Sequence, residues 1–224
     1  MENVGVLTLV LFVVIIAIGV ALGFLTRRRR RQRQQEVGRF AASRGWQFID
    51  RDDSYSHRWQ GKPFASRGMA HNIIIGQHRG RSFCTFAYHY TTTSHTGQVN
   101  TTQSHDFVIF AIALPAPVPE FSVEAEGIFG GKVAEALGFE RIDSGDPDFD
   151  NTFKVKSDNP RFGALLLQPP LLQMLKSTGP WDWRLTGQDM LSYQKGHLAP
   201  ELVQPRLDLM CDVLDRIPND AWRR

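Results

Sequence analysis

The chain has 224 residues, 42% hydrophobic and 11% aromatic, with a formal charge of +3. That balance excludes a disordered chain, and the length accommodates one ordinary domain. Seven arginines against two glutamates give +5 up to Arg39, which leaves −2 for residues 40–224; a body with that charge and no long basic stripe excludes nucleic acid as an expected partner.

Residues 4–25 read VGVLTLVLFVVIIAIGVALGFL, 22 residues without a charge. As a helix they extend about 33 Å, against a hydrocarbon core of about 30 Å. A cleaved signal peptide wants a basic start, whereas Met1 to Asn3 carry Glu2 and no Lys or Arg, and the A-x-A-like Ala21 to Gly23 abuts arginines. A retained transmembrane helix is therefore predicted. Arg27, Arg28, Arg29, Arg30, Arg31 and Arg33 follow it. Arginines at such a flank are held on the cytoplasmic side, which predicts a single-pass protein of the cell membrane with its C-terminal domain in the cytoplasm. The same six are the candidate membrane-surface residues toward the lipid bilayer, each worth up to about 1 kcal/mol against anionic headgroups. The expected division is a transmembrane helix over 1–26, a basic juxtamembrane segment and helix over 27–45, and an α+β domain over 46–224.

Val37, Phe40 and Ala41 share one face of a helix predicted over 32–44, with Gly45 as its stop. A first strand follows at 46–49, then a polar loop over 50–57 and a short edge strand over 58–65 interrupted by Pro63. The runs 72–76 and 81–90 predict a hairpin about Gln77-His78-Arg79-Gly80. After a polar tract over 91–105, residues 106–114 (DFVIFAIAL) are apolar on both faces and predict a central strand ended by Pro115, Pro117 and Pro119.

Residues 130–137 with Gly138 behind them predict a short helix, and 153–156 a brief strand. Asp158 and Asn159 offer caps to a helix over 160–167, restarted at Pro169-Pro170 through Lys176. A second hairpin is predicted from 181–185 and 190–193 about a turn at 186–188. Val203, Leu207, Met210, Leu214 and Ile217, spaced by four and three, mark an amphipathic helix over 204–216 with Pro205 in its first turn. The fold class is α+β: an N-terminal transmembrane helix followed by a mostly antiparallel sheet with several packed helices.

No motif specifies a chemistry. Were Gly97 the tip of a hairpin, His89 and His105 would face one another and could begin a metal site, but no spacing supplies a third ligand. Residues 146–150 (DPDFD) open like a calcium loop, yet Asn151 and Ser157 stand where its glycine and bidentate glutamate belong, so an acidic turn is expected. Gly127, Gly130, Gly131 and Gly138 do not spell a phosphate loop. Cys84 and Cys211 are the two cysteines, neither with a zinc-type neighbour; small buried hydrophobes in a reducing compartment are expected, with a disulfide between them left open. No catalytic residue, cofactor or metal ligand is nominated, and a non-enzyme is favoured.

The basic-flanked span, the helix ending in Arg44-Gly45-Trp46, the Gly80-Arg81 hairpin and the run Phe149, Phe153, Val155, Ser157, Asp158 resemble a group of uncharacterised actinobacterial single-pass membrane proteins. Leu165-Leu166-Leu167 and Pro169-Pro170 extend the resemblance. The resemblance covers most of the chain and rests on packing residues; it implies a bacterial membrane anchor and a domain of unknown function, and carries over no site residue. The expected role is a membrane-tethered interaction or scaffold domain with an unknown protein partner. The alternatives are a membrane-bound enzyme with dispersed catalytic residues, because such groups are recognised by geometry alone, and a domain that senses anionic lipid.

Overall fold

The computed structural model describes residues 2–65, 67–96, 99–125 and 140–223, with the backbone alone for 2–15, 26, 30, 96, 99, 140 and 141. Helix α1 spans Glu2–Ser43 without a break, so the predicted apolar helix and the predicted helix over 32–44 are one element. It stops as the sequence predicts. Gly45 adopts φ 69°, Trp46 N–H reaches Ala41 C=O at 2.9 Å and Gly45 N–H reaches Ala42 C=O at 3.1 Å, the paired bonds of a glycine-terminated helix. Among the described residues no helix is long and apolar enough to cross a membrane.

Seven strands form one antiparallel sheet among the described residues: β1 (Gln47–Arg51), β2 (Met69–His78), β3 (Arg81–Thr96), β4 (Val99–Ala125), β5 (Glu140–Arg141), β6 (Phe153–Ser157) and β7 (Trp183–Lys195). The order is β1-β2-β3-β4-β6-β5, and β7 also pairs with β4. The spine is β4, which meets β3 along its first half, β6 along its end and β7 along both. Its alternating residues divide two cores. Val108, Phe110, Ile112, Phe121 and Val123 face one side with α2 (Pro147–Thr152), α3 (Pro160–Leu166), α4 (Pro169–Thr178) and α5 (Pro200–Leu214), while Phe107, Ile109 and Ala111 face the other with Trp59, Phe86 and Tyr88.

Several elements depart from the sequence reading. The prolines at 115, 117 and 119 do not end the central strand, because the ladder to β7 slips between Ala113 and Val118 and again before Phe121, where absent N–H donors cost nothing. Nor is there a second hairpin about 186–188. Trp183 to Leu185 and Asp189 to Lys195 lie on the same strand, which follows the bend of β4 past Gly187 at φ 56°. The edge strand expected over 58–65 is a loop that lays Trp59 and Phe64 on the second core. Helix α5 begins at Pro200, so Pro205 falls inside it and not in its first turn; the carbonyl that loses its donor belongs to exposed Glu201. The helix predicted over 130–137 lies outside the described residues.

Asn159 caps α3 by accepting from Phe162 N–H, as predicted, and the stripe Val203, Leu207, Met210, Leu214 and Ile217 is buried in the first core. Helix α1 is fixed to the body by the same apolar logic. Val37 and Ala41 are buried in that core, and Trp46 wedges between Phe40 and Phe83 at 5.7 and 4.8 Å while its indole N–H donates to Gln77 C=O.

Two glycines report this junction with opposite sign. A Cβ at Gly76 would overlap the pyrrole edge of the wedged Trp46, so Gly76→Ala is expected to cost about 1–3 kcal/mol in urea unfolding. A Cβ at Gly38 would meet Phe48 at an ordinary 3.5 Å, so Gly38→Ala is expected to gain up to about 1 kcal/mol of helix propensity. Equal effects of the two substitutions would place the α1 contact elsewhere.

Candidate functional site

The candidate membrane-surface residues lie on α1 between its apolar start and its docked end. Arg27, Arg28, Arg29, Arg31 and Arg33 are exposed; Arg30 is described by its backbone alone. At about 100° per residue a run of consecutive arginines rings the helix instead of striping it. From Arg27 to buried Val37 is ten residues, or about 15 Å of helix, with no linker between.

Two open grooves flank the docked turns. One, of about 650 Å³, is lined by Arg31, Gln34, Gln35, Gly38, Arg39 and Phe48. The other, of about 480 Å³, lies between the end of α1 and the start of α5, with Phe40, Arg44, Pro200 and Pro205 among its walls and Glu201 and Asp208 at its rim.

Above the second groove an ionic cluster ties the β2–β3 turn to α5. Arg79 and Gly80, both at positive φ, form a two-residue turn of the kind that matches strand twist. This turn aims Arg79 at Asp212 (2.7 Å) and Asp215, Arg81 at Asp215 (2.7 Å), and His78 at Asp208 (2.7 Å). Hydrogen bonding to Asp212 pushes the Arg79 guanidinium further up its range. Every pair has a carboxylate about two-fifths exposed, so each contributes at most about 1 kcal/mol, and the cluster acts chiefly to orient α5.

The other sequence candidates separate in space. Thr96 pairs with Val99, so paired positions of β3 and β4 sum to 195 and not to the 194 that a tip at Gly97 would require. His89 therefore stands opposite Asp106 and His105 opposite Tyr90, on opposite faces of the ribbon. His89 bonds Asp106 at 2.9 Å, while His105 stacks on Tyr90 and bonds the Thr92 hydroxyl. The two cannot share a metal, and among the described residues no three His, Cys, Asp or Glu gather as a metal site would require.

Asp146 accepts from Asp148 and Phe149 N–H as the cap of α2 and binds Lys176, so the acidic turn is a helix cap. Cys84 faces the second core and Cys211 the first, which rules out a disulfide across the sheet. Burial pushes the Cys84 thiol up to about 12, and raises that of Cys211 as well. Buried thiols held protonated in this way fit the small hydrophobic role expected of them. The glycines at 127, 130, 131 and 138 lie outside the described residues.

What sequence reasoning missed is a buried polar belt beyond the aromatic core. Asp189, in β7, accepts from Trp59 Nε1 at 3.0 Å and from Arg58 at 3.1 Å. Asp182 accepts from Ala125 N–H at 3.0 Å, and its own carbonyl accepts from Ser192 Oγ. Lys156 is buried 3.8 Å from Glu124, and Arg184 donates to Gln60 C=O. An aspartate set between two tryptophans, Trp181 and Trp183, was the available signal. These bonds hold loop and strand ends, so the belt ties the fold together.

The geometry defines an antiparallel α+β body with a long helix docked on its edge. No family model matches the chain, and no curated protein matches it. Among solved structures it is similar to the crystal structure of the mycobacterial trehalose monomycolate transport factor A, with a TM-score of 0.57 at 12% identity over 86% of this chain and 96% of that one. At that identity the likeness is one of fold.

Burial, with Glu124 adding to it and the Ala125 N–H opposing, pushes the Asp182 carboxyl above its ordinary range. On raising the pH from about 4, the unfolded chain gives up this proton first, so the residue costs stability progressively up to its folded pKa. Asp182→Asn keeps the acceptor and removes that cost. Its urea midpoint relative to the native chain is expected to rise between pH 4 and 7; a difference constant with pH would show the carboxylate to be unpenalised.

Proposed function

We propose that this protein is a single-pass, membrane-tethered interaction or scaffold module, with its C-terminal domain on the cytoplasmic side and a protein partner held near the inner leaflet. The observation that carries the reading is the uninterrupted course of α1 from its apolar start, through the arginine ring, into the core at Val37 and Ala41. Residues 4–25 supply an uncharged stretch of membrane length, and Arg27 to Arg33 supply the charge that holds it in place against anionic headgroups. The chain shares its fold with a protein described as a mycobacterial trehalose monomycolate transport factor, a description compatible with a module that acts through partners. Asp182 and Asp189, the carboxylates of the buried belt, are each taken up in bonds to backbone or side-chain donors, which favours this over a dispersed active site.

In-cell crosslinking of the full chain is expected to capture a reproducible partner that a control holding residues 1–45 does not. No partner above that control sinks the scaffold reading. A reporter fused after Arg224 is expected to be active on the cytoplasmic side, and activity confined to the far side reverses the orientation.

A further inference from the structure

Strands β3 and β4 continue beyond the sheet as a two-stranded ribbon. β2 last pairs with β3 at Met69–His89, and β7 last pairs with β4 at Phe107–Lys195. Among the described residues, the ladder partners of β3 from Tyr90 to Thr96 are on β4 alone. The outer edge of β3 is thus open over seven residues, about 23 Å.

This edge lacks the devices by which proteins blunt such edges. Residues 90–105 (YTTTSHTGQVNTTQSH) contain no Lys, Arg, Asp, Glu or Pro, and the β3 run is Thr-Thr-Thr-Ser, rich in strand formers. Thr91, Thr92, Thr93, Ser94 and His95 are exposed, as are Thr101, Thr102, Gln103 and Ser104 across from them. A two-stranded ribbon with both faces wet is marginal in water unless further strands join it. At the corner where β2 ends and the β3 edge opens sits Met69, 40% exposed, the one exposed large hydrophobic outside α1 among the described residues. A strand laid along β3 would run in line with β2 and cover it.

We infer that the open edge of β3 pairs with the same edge of a second copy of this chain, antiparallel about a two-fold axis at Thr93. The absence of charge makes the edge compatible with itself, since no like charges meet in any register. Full overlap of residues 90–96 sets Thr93 across from its own copy, Thr92 across from Ser94, Thr91 from His95 and Tyr90 from Thr96, and brings the Thr96 end of each strand toward the other copy's Met69. Four strands then replace two. The inference rests on the ribbon and not on the membrane anchor, so the two readings fail separately.

The full chain in detergent is expected to be a dimer by analytical ultracentrifugation. Thr91→Lys with Thr93→Lys puts like charge across the two-fold axis and should weaken the dimer about tenfold or more, as should Thr91→Glu with Thr93→Glu. Mixing the lysine and glutamate variants should restore pairing. A monomeric native chain, a lysine variant that dimerises like the native one, or a mixture that stays monomeric overturns the inference. Should the charged variants not fold, Thr93→Cys serves: mild oxidation is expected to join two copies through it and not through Gln173→Cys on α4. Equal crosslinking at both positions, or Thr93→Cys joining to a different protein in membranes, overturns it equally.

Discussion

Everything about how this molecule can act depends on the burial of Val37 and Ala41. They sit one turn apart on a helix that begins at Glu2, yet they belong to the core that β4, α3, α4 and α5 build. Removing them from water is worth a few kcal/mol at about 25 cal/mol per Å². Swinging the helix off the body would reopen that area and unseat Trp46 from Phe40 and Phe83. The junction is therefore stiff for a physical reason. Its ionic neighbours on the β2–β3 turn and α5 add orientation more than stability, because they remain wet.

The second constraint is the length of β4. One strand of 27 residues is the partner of β3, β6 and β7, so it decides where the apolar faces lie and where the sheet stops. Its apolar middle needs cover on both sides and receives it, from the helices on one and from the loop carrying Trp59 and Phe64 on the other. Past Phe107 that cover ends on the β7 side, and the backbone continues with nothing to bury.

Local signals were legible in the sequence and long-range ones were not. Gly45, Asn159 and the stripe on α5 act over one or two turns, and each behaved as its chemistry dictates. The run 81–90, set off by the Gln77-His78-Arg79-Gly80 turn, located the start of β3 for the same reason. The prolines at 115, 117 and 119 misled because a proline ends a strand only where the ladder needs its N–H, and the slip in register that spares them is set by β7, some 70 residues away. Thr186-Gly187-Gln188 reads as a turn between two strands and is a bend within one. The facing of His89 and His105 turned on half a residue in the position of a tip. The belt around Asp182 and Asp189 was hidden because its partners, Ala125, Arg58 and Trp59, are brought to it only by the fold.

A helix without a hinge transmits angle as well as distance. Each residue between the apolar start of α1 and Val37 advances the body by 1.5 Å and turns it by about 100° around the helix axis. The number of residues in the arginine segment is thus a phase setting. One residue more or fewer would leave every contact inside the domain intact and point the open β3 edge in a different direction, whereas seven would return it to nearly the same bearing about 10 Å further out.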